Sequence, residues 1–245
     1  MTRYKLTVEY NGTAFHGWQE QNGLKSIQST IQNAIMQFSG EKIIIYGAGR
    51  TDAGVHAIGQ IAHFDLIKSM TAKSLLSALN HFLQHDMISI TTLEEVDDNF
   101  HARFSAKSRS YIYKIFNRNA PLTIDKNYAW HIKENLDIQL MQEASDCLIG
   151  THDFASFRSS RCQAQTSIKS INTIRFSHLD SRIEMFINAK SFLHNQVRII
   201  IGTLRKIGNH TWHPSKVQEV LKAKNRCTAG QTAPPHGLYL HSVEY

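Results

Sequence analysis

The residues best suited to chemistry lie in the run Gly47-Ala48-Gly49-Arg50-Thr51-Asp52-Ala53-Gly54-Val55-His56. A single carboxylate, Asp52, follows an arginine by two positions among small residues. The β-branched run before it and the stretch after it read as strands, Lys42–Tyr46 and Gly59–Asp65. Asp52 is therefore expected on a loop held out by a rigid scaffold. Gly47, Gly49 and Gly54 leave room for backbone or ligand to approach, and Arg50 can hold a carboxylate ionised or grip a phosphate. A carboxylate in that position suits covalent attack or stabilisation of an electron-poor centre. Blander readings stand beside this one. A lone Asp in a glycine-rich loop is most often an Asx-turn or a helix cap. No G-x-x-x-x-G-K-[ST] is present and no long helix pattern follows, so neither a phosphate loop nor a dinucleotide fingerprint is supported. His56 fits a general base or, more commonly, a structural histidine.

Other reactive types are scattered. Arg198 sits beside Val197, near the edge of the apolar face of a helix expected over Leu193–Ile207. Tyr111 and Tyr113 share one side of a strand expected over Arg109–Asn117. On spacing alone these read as a solvated arginine and packing tyrosines. His81 with His85, and His210 with His213, have metal-like spacing, but neither pair carries the carboxylate of an H-E-x-x-H pattern, and no metal is expected. Cys147, Cys162 and Cys227 are odd in number and form no C-x-x-C pair, which suits reduced thiols in a cytoplasmic protein.

The elements that would position these groups can be read from periodicity. Tyr4–Tyr10 alternates as a strand and is no signal peptide. Ser26 caps a helix with Ile27, Ile31, Ala34, Ile35 and Phe38 at helical spacing, ended by Gly40. Thr71 caps a second, with Leu75, Leu76, Leu79 and Phe82 on one face, and Ile88–Leu93 is a further strand. The first half thus reads β-α-β-β-α-β, the ferredoxin-like order. Beyond it, Asn119–Lys133 shows little periodicity. Leu136–Leu148 is a helix candidate, and Ser170–Phe176 with Ile183–Ala189 forms a hairpin. Pro214 opens a last helix reaching about Lys224, and Leu238–Val243 is a final strand. Composition is that of a globular protein, with 42% apolar and 19% charged residues. No aliphatic stretch is long enough to span a bilayer. A net charge of +7 and a pI near 9.3 favour polyanionic partners.

The run around Asp52 resembles the active-site signature of the tRNA pseudouridine synthase A family. The resemblance continues in Tyr10-Asn11-Gly12-Thr13-Ala14-Phe15-His16-Gly17-Trp18-Gln19 and in Phe100-His101-Ala102-Arg103-Phe104-Ser105-Ala106, followed by Arg109-Ser110-Tyr111-Ile112-Tyr113. It goes on through His152-Asp153-Phe154-Ala155-Ser156-Phe157, Val197-Arg198 before Ile201-Gly202, and Ala233-Pro234-Pro235-His236-Gly237-Leu238-Tyr239-Leu240. Two departures are visible: Gln84 where the family has proline after leucine, expected to loosen a turn, and Gln196 where it has methionine, expected to alter local packing.

The resemblance implies an α+β fold of two ferredoxin-like halves, 1–105 and 106–245, with antiparallel sheets joined side by side, helices on one side and a central basic cleft. It implies an isomerase that converts uridine to pseudouridine at positions 38–40 of the tRNA anticodon stem–loop. Such an enzyme needs no cofactor and works as a cytoplasmic homodimer with no membrane association. By the same resemblance Asp52 is the catalytic nucleophile, Arg198 pairs with it, Tyr111 stacks on the target uracil and Leu238 forms an apolar wall. Arg50, Arg103 and Arg109, with Lys107, Arg158, Arg161, Arg205 and Lys206, are the expected RNA-binding cations. Phe15 and Trp18 suit the cleft wall or, more readily, the core. Whether Asp52 attacks the sugar, adds to the base or acts through a glycal is not fixed by sequence. Two rival classes remain. A non-catalytic RNA-binding protein would have no use for the acid near phosphates, and a metal-dependent nuclease would need a carboxylate cluster the chain lacks.

Overall fold

Alternation in the first strand, β1 (Thr2–Tyr10), buries Tyr4, Leu6, Val8 and Tyr10 and leaves Arg3, Lys5, Thr7 and Glu9 on the other face. The computed structural model describes residues 1–245 and is α+β. The helix α1 (Ile27–Ser39) starts where predicted. Ser26 accepts from the Ser29 amide in a capping box, and Gly40 closes the helix in the left-handed region. After it come β2 (Tyr46–Gly47), β3 (His56–Leu66), α2 (Ala72–Leu83) and β4 (Ile88–Val96). Their order in the sheet is β4-β1-β3, antiparallel throughout, with β2 antiparallel to β3. This is the expected ferredoxin-like order. Ile27, Ile31 and Ile35 of α1 and Leu75, Leu79 and Leu83 of α2 are fully buried, each worth about 1.5–3 kcal/mol relative to exposure.

Two expectations change here. Of the segment Lys42–Tyr46, only Tyr46 joins a strand. Side chains of α1 take the place of a partner strand: the Ile45 amide donates to Gln32 Oε1 (3.1 Å) and its carbonyl accepts from Gln28 Nε2 (3.0 Å). On α2 the buried stripe is Leu75, Leu79 and Leu83, while Phe82 is exposed and stacks on Phe38.

The chain divides into two units, Met1–Lys107 with Tyr239–Tyr245, and Ser108–Leu238. The last strand, β10 (Leu238–Glu244), therefore returns to the first unit, where Tyr239 and Leu240 pair in parallel with His56 and Ala57 of β3. The second unit contains β5 (Ser108–Asn117), β6 (Trp130–Ile132), α3 (Ile138–Ser145), β7 (Gly150–Asp153), β8 (Ile168–Leu179), β9 (Arg182–Ala189), α4 (Gln196–Gly208) and α5 (Lys216–Ala223). Its strands run β5-β9-β8-β7, all antiparallel, with β6 parallel to β5. The expected hairpin turns at Asp180, φ 53°. Asn119–Lys133 does hold a strand, β6. The helix expected from Leu193 begins at Gln196 because Asn195 takes a left-handed conformation, φ 64°. No helix is long and apolar enough to cross a membrane.

Candidate active site

Asp52 lies half-buried on the loop between β2 and β3, as its neighbours' strand patterns implied. The loop is held at Thr51. Its hydroxyl meets the Tyr10 hydroxyl in a buried 2.7 Å hydrogen bond, and its carbonyl accepts from the Trp18 amide (3.1 Å). One turn of the loop is closed by the Val55 amide donating to the Asp52 carbonyl (3.1 Å). From the β3 side, fully buried Gln60 donates Nε2 to the Gly49 carbonyl (2.8 Å). The N-terminal stretch Tyr10–Trp18 thus lies directly on this loop. Two of its glycines are required by that approach: a Cβ on Gly12 would stand 2.0 Å from the Val55 carbonyl oxygen, and one on Gly17 2.4 Å from that of Thr51. Pattern reading identified Asp52 but missed Tyr10, Thr51 and Gln60 as its supports. All three fall in or beside the quoted motifs, but no local periodicity pairs them.

Several expectations are refined by this geometry. Gly47 makes room for the Trp18 indole, which a Cβ would meet at 2.6 Å, so its smallness serves packing and not a ligand. Trp18 and Phe15 are core residues, 2% and 3% exposed. His56 is structural: buried, stacked on Tyr239 at 4.7 Å, with Nδ1 accepting from the Gly12 amide (3.1 Å).

Asp52, Arg50 and Arg103 belong to the first unit; Tyr111, Arg109, Arg198 and Leu238 belong to the second. In the second unit, Arg198 sits in the first turn of α4. Its Nε donates to the Ala233 carbonyl (2.8 Å) and one terminal nitrogen to Asn195 Oδ1 (2.9 Å). Tyr113 is buried on β5 and donates its hydroxyl to the Pro234 carbonyl (2.8 Å); burial pushes its pKa well above the usual tyrosine range. Arg198 and Tyr113 together tie down the segment that leads into Leu238. Tyr111 is 8% exposed, edge-on to Phe192 at 5.2 Å. Leu238 is buried at the start of β10. Gln196 is buried, and its Oε1 accepts from the Leu193 amide (2.8 Å), so it does backbone work at the helix entrance.

The expected cations separate into two groups. Arg50, Arg103, Lys107 and Arg161 are exposed. Arg109 is buried and donates to the Lys190 carbonyl (2.8 Å), which leaves it little surface to offer a phosphate. Arg205 pairs with Glu134 at 2.7 Å and lies over the Trp130 ring.

A family model described as tRNA pseudouridine synthase matches residues 6–105 and 144–245. The chain belongs to this family. As a pseudouridine synthase it is an isomerase. It is 49% identical to tRNA pseudouridine synthase A of Ehrlichia canis over 244 residues, covering 99% of this chain and all of that one. The same protein of Anaplasma phagocytophilum is 50% identical over 245 residues, again covering 99% of this chain and all of the relative. That of Parvibaculum lavamentivorans is 46% identical over the full length of both. The matched segments hold the Asp52 loop, the residues that clamp it, and Arg198 with its Ala233 anchor.

Proposed function

We propose that this enzyme converts uridine to pseudouridine at positions 38–40 of the tRNA anticodon stem–loop, with Asp52 as nucleophile. The reaction breaks the N1–C1′ bond, turns the detached uracil and joins C5 to C1′; the C5 proton leaves and N1 takes one up. Atoms and electrons balance without an oxidant or energy source. The observation that carries the reading is the Asp52 loop, whose one acidic residue follows Thr51, fixed through hydroxyl and carbonyl alike. A nucleophile needs that fixity, because a misplaced attacking group loses rate steeply.

The other roles follow the family resemblance. Arg198 pairs with Asp52 and orients its carboxylate through a planar guanidinium. Tyr111 stacks on the uracil, restraining the ring plane while allowing movement within it, and Leu238 supplies the opposing apolar wall. Arg50 and Arg103 contact the RNA backbone, in keeping with the net charge of +7. The enzyme acts in the cytoplasm as a homodimer, which light scattering at assay concentration tests.

The reaction itself is tested by tritium release from tRNA carrying C5-tritiated uridine, in EDTA, with the product mapped to position. Release at positions 38–40 is expected. Binding without release would leave an RNA-binding protein, and strand cleavage would indicate a nuclease.

A further inference from the structure

A chain of four rings in the first unit is used by none of the roles above. Tyr46 stacks on His63 with centroids 5.2 Å apart and planes at 22°. His63 meets His101 edge-on at 4.6 Å, and His101 reaches Phe104 at 4.4 Å. The middle of the chain is closed in and the ends are open: His63 is 2% exposed, Tyr46 46% and Phe104 76%. Backbone donors lock the imidazoles. The Ala102 amide donates to His63 Nδ1 (3.1 Å), and the Arg103 and Phe104 amides to His101 Nδ1 (3.1 and 3.4 Å). Burial lowers the pKa of His63 to about 4 and also lowers that of His101, so both rings are neutral at pH 7 and can pack face or edge without charge repulsion.

Exposed aromatic rings held this firmly suit a flat partner, and the surrounding charge says which kind. The two segments that carry the outer rings, 42–51 and 99–107, contain Lys42, Arg50, Arg103 and Lys107 and not one carboxylate. The Arg103 guanidinium lies over the Phe104 ring, 5.6 Å from its centroid. Of the nearby acids, Asp65 has both carboxylate oxygens on Arg3, and Asp97 and Asp98 lie close enough for the same guanidinium to offset their charge, its NH1 also donating to the Asp98 backbone carbonyl. A flat, polyanionic ligand with exposed ring faces is single-stranded nucleic acid, whose bases stack on aromatic side chains whatever their sequence. Tyr46 stands at the start of the loop that carries Asp52 in the same unit, so these rings are left for bases next to the reacting one.

We propose that Tyr46 and Phe104, backed by His63 and His101, form a stacking platform for unpaired bases that flank the reacting uridine, with Arg103 beside them for the phosphate backbone. The inference rests on the tRNA reading above and adds to it a second base-binding surface.

The test uses the full-length protein and an anticodon-arm RNA with 2-aminopurine in place of a loop purine. Phe104→Ala and Tyr46→Ala should each weaken binding roughly 5- to 150-fold and reduce the quenching of 2-aminopurine on binding. Phe104→Trp should bind like wild type, whereas Phe104→Leu, which keeps an apolar surface without a ring face, should bind like Phe104→Ala. Turnover at saturating RNA should fall much less than affinity. Because Phe104 is largely exposed, the fold of its variants is expected to be retained, and circular dichroism checks it. The proposal is overturned if Phe104→Ala binds as tightly as wild type, or if Leu serves as well as Trp. It is also overturned if Phe104→Ala lowers the particle mass in light scattering, which would give the patch to a second copy of the chain. Wild-type protein that releases no tritium from labelled tRNA would instead sink the reading on which the proposal rests.

Discussion

A carboxylate on a small-residue loop is useful only if the loop stands still, and here its neighbour Thr51 takes that load through the buried Tyr10 hydroxyl. Tyr10→Phe leaves the Thr51 hydroxyl buried without that partner, which should cost about 1–3 kcal/mol in urea denaturation. Because the loop carries Asp52, kcat should fall while KM for tRNA stays close to wild type. Thr51→Ser keeps the hydroxyl and should rescue both quantities; Thr51→Val should repeat the Tyr10→Phe result. A KM that rose alone would assign this bond to RNA binding. Arg198 carries a second test at this scale. Its guanidinium already serves the Ala233 carbonyl and the Asn195 side chain, a fork that a lysine ammonium cannot reproduce. Arg198→Lys should therefore lower turnover far more than tRNA affinity, since a positive charge remains for the RNA. Equal losses in single-turnover and filter-binding measurements would indicate a phosphate contact.

At the scale of elements, the helices were the most legible part of the sequence. Ser26 and Thr71 are caps with a local hydrogen-bonding mechanism, and the apolar stripe behind each is set by helix geometry. The loop bearing Asp52 was legible for a similar reason, because glycines and a charged pair stand out against flanking apolar runs. Strand partners were not. The run Lys42–Tyr46 has the composition of a strand, yet at Ile45 the backbone amide and carbonyl are satisfied by Gln32 and Gln28 of α1, and nothing in alternation distinguishes the two outcomes. The return of Tyr239–Tyr245 to pair with β3 is likewise a long-range choice that a period-two pattern leaves open. Arg109 was read as a surface cation from its type alone, and only tertiary packing reveals its burial. Gln28 offers the sharpest test of the substitute pairing. Besides the Ile45 carbonyl it serves the Gln19 amide group and the Glu20 backbone amide. Gln28→Leu fits the apolar face of α1 but strands these groups, and should cost about 2–3 kcal/mol by chemical denaturation. A stability equal to wild type would mean that this segment is held by Ile43 and Ile45 packing alone.

At the scale of the whole molecule, acid should weaken the fold through His63. An unfolded histidine takes up its proton near pH 6.5, whereas burial in the folded state delays this to about pH 4. The unfolded state therefore binds more protons between these values. The stabilisation from neutral His63 is complete above pH 6.5 and is lost as pH falls toward 4. From this group alone the protein should be about 2 kcal/mol less stable at pH 5 than at pH 7.5. His63→Asn, which can still accept from Ala102 but does not titrate, should flatten the dependence in paired denaturation curves. Unchanged slopes would mean that His63 titrates normally. Catalysis by the whole enzyme turns on Asp52. The residue is half-buried on a loop, so Asp52→Ala opens no core cavity, and it removes a charge that repels phosphate. Asp65 cannot take its place, because both its oxygens are held by Arg3 at 2.7 and 2.8 Å. The decisive measurement is nucleoside chromatography of tRNA incubated with Asp52→Ala, alongside filter binding of the same protein. The prediction is no pseudouridine with tRNA affinity equal to wild type or slightly higher; appreciable pseudouridine made by Asp52→Ala would contradict the nucleophile assignment.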